Sequence, residues 1–135
     1  MENEQKLSHY INESKKINDD VFDRKIRVAI LSSFTLNGLE ETLHVKCASN
    51  KIRFQSYVGG YNQYNQNILD EKSNLYKFSP DITFLVIDTR SIFGNFFYSS
   101  YSITESERIK FVNEKVKELE DIIKSFTTKS DSKLV

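Results

Sequence analysis

The sequence predicts one α/β domain built on a short parallel sheet in a three-layer arrangement. Two apolar runs, residues 26–31 (IRVAIL) and 82–87 (ITFLVI), have the composition of strands covered on both faces, as strands of parallel sheets are. Segments of helical period lie between and after them, and alternating strands and helices imply right-handed crossovers. The composition agrees: 39% hydrophobic residues with 10 Phe and 7 Tyr suit a packed core and argue against disorder.

In chain order, residues 3–17 read as an amphipathic helix, with Leu7, Tyr10, Ile11 and Ile17 near one face. Residues 18–24 are a polar connector, so residues 1–24 form an N-terminal helix and linker ahead of an α/β domain over 25–135. The 26–31 strand follows. Ser32, Ser33, Phe34 and Thr35 make a loop, and Thr35 is the expected N-cap of a helix running to about Asn50. Leu36, Leu39, Leu43 and Cys47 keep the helical period.

Residues 51–58 alternate, with Ile52, Phe54 and Val58 on one face and Arg53 and Gln55 on the other, and Gly59 and Gly60 end that strand. The polar stretch 61–67 (YNQYNQN) is too short to act as an aggregation-prone tract. Ser73 is placed to cap a short turn through Phe78, and Pro80 and Asp81 punctuate before the 82–87 strand. Residues 88–102 read as a long loop rich in Phe, Tyr and Ser.

Thr104 and Glu107 form a capping box. Behind it Ile109, Val112, Val116, Leu119, Ile123 and Phe126 make an apolar stripe, with a Glu120–Lys124 pair at i,i+4. Residues 127–133 read as a polar loop, and Leu134 and Val135 stand where a further strand should begin. The domain is therefore expected to be truncated, incomplete at its C-terminus. The 26–31 strand, the most apolar on both faces, should lie between the other two.

Several function classes are set aside. The net charge is zero, with 19 basic and 19 acidic residues, so no global field attracts nucleic acid or an anionic membrane. The single Cys47 excludes an intrachain disulfide framework or a Cys-rich zinc site. No apolar run approaches the roughly 18 residues of a membrane span, and the N-terminus is no signal peptide. A cytoplasmic protein is expected. No G-x-G-x-x-G, no P-loop and no G-x-S-x-G elbow is present. Asp88, Thr89 and Arg90 lack the second acid of an Asp-x-Asp phosphatase motif. His9 and His44 read as surface or half-buried residues, the paired acids Asp19-Asp20 and Glu40-Glu41 as solvated surface, and Cys47 as core.

Ligands of open parallel sheets bind at the carboxyl ends of the strands. Three loops should converge there: residues 32–35, 59–63 and 88–91. A helix starting after Thr35 would offer free N–H groups to an anion. Gly59 and Gly60 would let backbone approach a ligand, and Arg90, oriented by Asp88, would supply the positive charge. The candidate ligand-binding set is Ser32, Ser33, Thr35, Gly59, Gly60, Asn62, Gln63, Asp88 and Arg90. No metal ligands and no cofactor are expected in this chain. Pairing of Asp88 with Arg90 is the plain alternative.

Residues 25–43 (KIRVAILSSFTLNGLEETL) and 57–90 (YVGGYNQYNQNILDEKSNLYKFSPDITFLVIDTR) go beyond generic α/β. They resemble the N-terminal domain of FkbH-like proteins, the haloacid dehalogenase-like subfamily IIIC. The strand followed by SSFT and Leu36, the Y-N-Q-Y-x-Q-x-I-L-D segment, the S-x-L-Y-x-F turn, and P-D before a buried strand carry it. The resemblance implies an SGNH-hydrolase-like or flavodoxin-like fold joined to a phosphatase-type catalytic domain beyond residue 135, which would use magnesium. It also implies a parent that transfers a glyceryl unit from a phosphorylated three-carbon donor to an acyl carrier protein, in polyketide-type biosynthesis. Partners would be the parent's own catalytic domain, the carrier protein or a small anion.

Against the SGNH pattern, the nucleophile position holds Phe34, the second-block glycine falls at Gly59 or Gly60, and Arg90 replaces the oxyanion-hole asparagine. A serine without base or oxyanion donor is not a hydrolase. The expected function is thus a non-catalytic accessory or binding domain. The alternative is an SGNH-like esterase or phosphate-ester hydrolase using Ser32 or Ser33 and completed by later residues.

Overall fold

A computed structural model describes residues 6–135. Four parallel strands form one sheet in the order β2-β1-β3-β4, with β1 Arg24–Ser32, β2 Ile52–Val58, β3 Ile82–Val86 and β4 Lys133–Leu134. β1 is central, as its two-sided apolarity predicts. Alternation along β1 splits the core into two layers. Ala29 and Leu31 pack with Tyr64, Ile68, Leu75 and Phe126 on one face. Val28 and Ile30 pack with Phe54, Leu36, Leu39, Leu43 and Cys47 on the other.

The second face is covered by α2 (Leu39–Ser49), against which α1 (Leu7–Ser14) lies. The expected helix over 3–17 is therefore shorter, and its residues 3–5 lie outside the described residues. The first face is covered by α3 (Tyr64–Leu69), α4 (Asn74–Phe78) and α7 (Glu105–Lys129). The stretch 61–67 thus supplies a helix start, with Asn67 buried and accepting from the Tyr57 hydroxyl. Ser73 does precede α4, but its hydroxyl donates to the Asn67 carbonyl at 2.7 Å instead of capping the helix.

Thr35 is not the N-cap of α2. The chain makes another turn through Asn37, and Gly38 caps the helix at φ +81°, a left-handed conformation that favours glycine. A side chain at Gly38 would also collide with Leu7 of α1. Residues 88–102 are not a loop either. They form α5 (Thr89–Phe93), α6 (Phe96–Ser99) and a 3-10 turn (Ser100–Ser102), because Phe93 and Phe96 stack with Phe111 of α7. Helix α7 also runs on to Lys129, where a polar loop was expected.

The capping box of α7 is formed: Thr104 Oγ1 accepts from the Glu107 N–H, and the Glu107 carboxylate accepts from the Thr104 N–H at 2.8 Å. These bonds hold the Glu107 pKa below its usual range. Thr104→Ala is expected to lower stability by about 1 kcal/mol, read from urea melts. The expected Glu120–Lys124 contact is absent among the described ion pairs, and Lys115 pairs with Glu118 at 2.8 Å instead. The apolar stripe of α7 is only partly buried. Phe126 is fully enclosed, whereas Ile109 (55% exposed), Val112 (39%), Val116 (48%) and Ile123 (43%) face solvent.

The N-terminal ends of β1, β3 and β4 meet at Asp81. Its carboxylate accepts from the Arg27 N–H at 2.8 Å and the Arg27 guanidinium at 3.2 Å, and its carbonyl accepts from the Lys133 N–H at 3.0 Å. The Arg27 side-chain and backbone bonds hold the Asp81 carboxyl below the usual carboxylate range. A lowered carboxyl stabilises the fold above its unfolded pKa, about 3.9, and loses that contribution as pH falls through the folded value. Asp81→Asn should therefore reduce stability at neutral pH and flatten the acid limb of a stability–pH curve below about pH 5. Urea melts across that range check it.

Candidate functional site

Hydrogen bonds at the carboxyl edge bring the three expected loops together. The Gly59 N–H donates to Ile30 O at 2.9 Å, Asn62 N–H to Ser32 O at 3.2 Å, and Ser33 N–H to Val86 O at 3.1 Å. Each loop is thus tied to the end of a strand, as its position in an α/β sheet demands.

The two serines are occupied in this framework. Ser33 is 1% exposed, and its Oγ accepts from the Asp88 N–H at 2.8 Å, joining the end of β1 to the segment after β3. Ser32 Oγ accepts from the Phe34 N–H at 3.1 Å, a tight side-chain turn. No histidine or second carboxylate is bonded to either hydroxyl among the described residues, so neither has the base that activates a nucleophile.

A cleft of about 230 Å³ opens between the ends of β1 and β2. Of the expected residues, Ser32, Thr35 and Gly59 line it, together with Phe34, Leu36, Val58, Tyr61, Glu40 and Glu41. Ser33, Gly60, Asn62, Gln63, Asp88 and Arg90 are not among its lining residues. Gly60 packs against the Gln63 side chain, and Asn62 adopts a left-handed φ of 52° and borders a second cleft of about 260 Å³ with Ser91, Ile92 and Lys115.

The expected anion pocket is therefore corrected in two respects. The helix aimed at the cleft begins at Gly38, not after Thr35, and its first turn carries Glu40 and Glu41, whose negative charges already complement the helix dipole. Glu40 also accepts from the Ser56 hydroxyl. Arg90 sits on α5, 61% exposed, and bonds Asp88 Oδ2 at 3.2 Å. The Asp88 charge beside it raises the Arg90 pKa. The plain alternative, Asp88–Arg90 pairing, is the arrangement observed.

The acidic wall is what sequence reasoning missed. Only Leu39 separates Gly38 from Glu40 and Glu41, and a glycine ahead of two first-turn acids is a helix-start signal that competes with Thr35. Elsewhere, His44 Nε2 lies 2.8 Å from Asp19 Oδ2 and stacks on Phe54, while Asp20 pairs with Arg53. Both acids thus pin the connector to α2 and β2. Burial, and secondarily the Asp19 charge, raises the Cys47 thiol pKa, so it is no activated nucleophile. Among the described residues no group of three or more His, Cys, Asp or Glu is placed to hold a metal ion, and no helix is long and apolar enough to cross a membrane.

Among curated proteins nothing matches the chain. Among solved structures, the chain resembles the N-terminal part of the protein BF1531 from Bacteroides fragilis, described as containing a phosphatase domain and complexed with Mg. The TM-score is 0.73 at 17% identity, over 96% of this chain and 32% of that one, so the chain spans about a third of that structure. At this identity the likeness shows the fold alone. The family model of the FkbH N-terminal domain matches residues 27–133, from β1 to β4. With that match covering most of the chain, the protein belongs to the FkbH N-terminal domain family.

Proposed function

We propose that this domain is a non-catalytic accessory domain that serves assembly within an FkbH-like protein. The parent of this reading is a cytoplasmic haloacid dehalogenase-like enzyme of subfamily IIIC. It would transfer a glyceryl unit from a phosphorylated three-carbon donor to an acyl carrier protein, with magnesium held by its catalytic domain. The observation that carries the accessory role is the state of Ser32 and Ser33. Both hydroxyls accept backbone N–H groups, and among the described residues neither is bonded to a base. Large apolar side chains at the carboxyl edge, Phe34, Val58 and Tyr61, are left exposed, as are Phe97, Tyr98 and Tyr101 beyond β3. Exposed apolar groups in such numbers suit a protein contact better than a charged small ligand.

The chain is expected to turn over neither chromogenic esters nor chromogenic phosphate esters above the buffer blank. Turnover that is lost in Ser33→Ala would overturn the accessory reading and establish the SGNH-like hydrolase. The small-anion reading keeps one observation in its favour, the convergence of the three loops. With Glu40 and Glu41 in the cleft wall, titration with phosphate or phosphopantetheine is expected to leave the amide signals of residues 32–35 unmoved. An acyl carrier protein or the parent's catalytic domain, added instead, should shift signals at the exposed apolar positions.

A further inference from the structure

Helix α7 carries apolar residues at 109, 112, 116, 119, 123 and 126, a spacing of alternating three and four residues. That is a heptad seam with Ile109, Val116 and Ile123 at the a positions and Val112, Leu119 and Phe126 at d. A seam of period 3.5 drifts by about 20° per heptad on a straight helix of period 3.6. It therefore leaves the core gradually. Phe126 is enclosed under the sheet, Leu119 is half-buried, and Ile109, Val112, Val116 and Ile123 are exposed. The face that packs on the domain runs instead through Phe111, Lys115, Ile122 and Phe126. At 100° per residue the exposed seam lies about a quarter turn away from it.

We propose that this seam pairs with the same seam of a second copy, the two α7 helices running parallel about a two-fold axis. The residue types point to this partner. The a positions Ile109, Val116 and Ile123 are all β-branched, and the part of d outside the core holds Val112 and the half-buried Leu119; β-branched residues at a with Leu at d favour two parallel strands. In that register each a side chain meets its own counterpart. Lys115, at a g position, also meets Glu120 of the second copy, at e. In the single chain Lys115 pairs with Glu118 and its ammonium lies over the Phe111 ring, 5.6 Å from the centroid; the Glu118 pair is partly exposed and cheaply exchanged.

The geometry permits the pairing. Because the seam is a quarter turn from the packed face, the two-fold axis sends the two domain bodies to opposite sides of the helix pair. The helix is also already folded by its own domain. A two-heptad seam, too short to form a coiled coil from free peptides, here does not have to supply the cost of helix formation.

Sedimentation velocity of the chain over a concentration series should show a monomer passing to a dimer. Val116→Lys, at an exposed position in the middle of the seam, should abolish the dimer while leaving the far-UV circular dichroism spectrum unchanged. Val21→Lys, an exposed apolar residue on another element, should leave the dimer intact. In a Cys47→Ala background, Ile109→Cys and Ile123→Cys should each form an interchain disulfide with itself, which only the parallel register allows at both ends of the seam. A monomer at every concentration, or a dimer that survives Val116→Lys, overturns the proposal. So does self-crosslinking at neither cysteine, which would place the contact in another register or on another face.

Discussion

Phe126→Ala should remove about 3–5 kcal/mol of stability. Its ring is fully enclosed, in the layer formed by Ala29, Leu31, Tyr64, Ile68 and Leu75, and it stacks with Tyr76 at a centroid separation of 6.4 Å. It is also where α7 is fastened to the sheet. Ser130 donates to the Phe126 carbonyl at 3.0 Å, and β4 begins three residues after that serine. Losing the ring opens a cavity beneath both elements. Since domains of this size are stable by about 5–15 kcal/mol, the variant should unfold at markedly lower urea concentration. Val112→Ala, on the same sequence stripe but exposed, should cost no more than about 0.5 kcal/mol when measured in dilute, monomeric solution. Equal losses at both positions would show that the stripe is buried along its whole length.

The second large effect is expected at Gly38. Two independent costs fall on any side chain there. A β-branched residue in the left-handed region is strained by about 1–2 kcal/mol, and its Cβ would occupy the space of the Leu7 side chain. Overpacking of that kind typically adds about 1–3 kcal/mol. Gly38→Val should therefore destabilise the domain by several kcal/mol or release α1 from α2. Amide hydrogen exchange separates the two outcomes. Loss of protection confined to Leu7–Ser14 means that α1 has detached, whereas loss throughout means that the whole fold has weakened. Gly94 gives the control. It also has a positive φ, 54°, but open space where a Cβ would stand, so Gly94→Ala should cost only the backbone term.

The contrast between Asp88 and Glu40 says how much of the carboxyl edge could be read in advance. The convergence of residues 32–35, 59–63 and 88–91 follows from parallel topology alone, because parallel strands all end at the same edge. Which side chains then face a common space does not follow from topology. It depends on where α2 starts, and a shift of that start from Thr35 to Gly38 exchanged an anion-binding helix end for a wall with two carboxylates. Arg90 illustrates the same limit. Its nearest acid in sequence, Asp88, is also its partner in space, and a local ion pair removes the charge from the cleft.

The sequence by itself determined the sheet. The runs at 26–31 and 82–87 are apolar on both faces, so they had to be covered twice. That requirement made them parallel strands with β1 at the centre. It also determined the start of α7, because a capping box is satisfied within four residues and needs nothing from the rest of the chain. Only the tertiary structure decided which part of the α7 stripe is core. Heptad spacing is a property of the chain, but a straight helix turns it away from a flat sheet, so burial ends where the sheet's layer ends. The segment 88–102 was decided the same way. Its helical turns form because Phe93 and Phe96 find Phe111 on α7, a partner that no local pattern names.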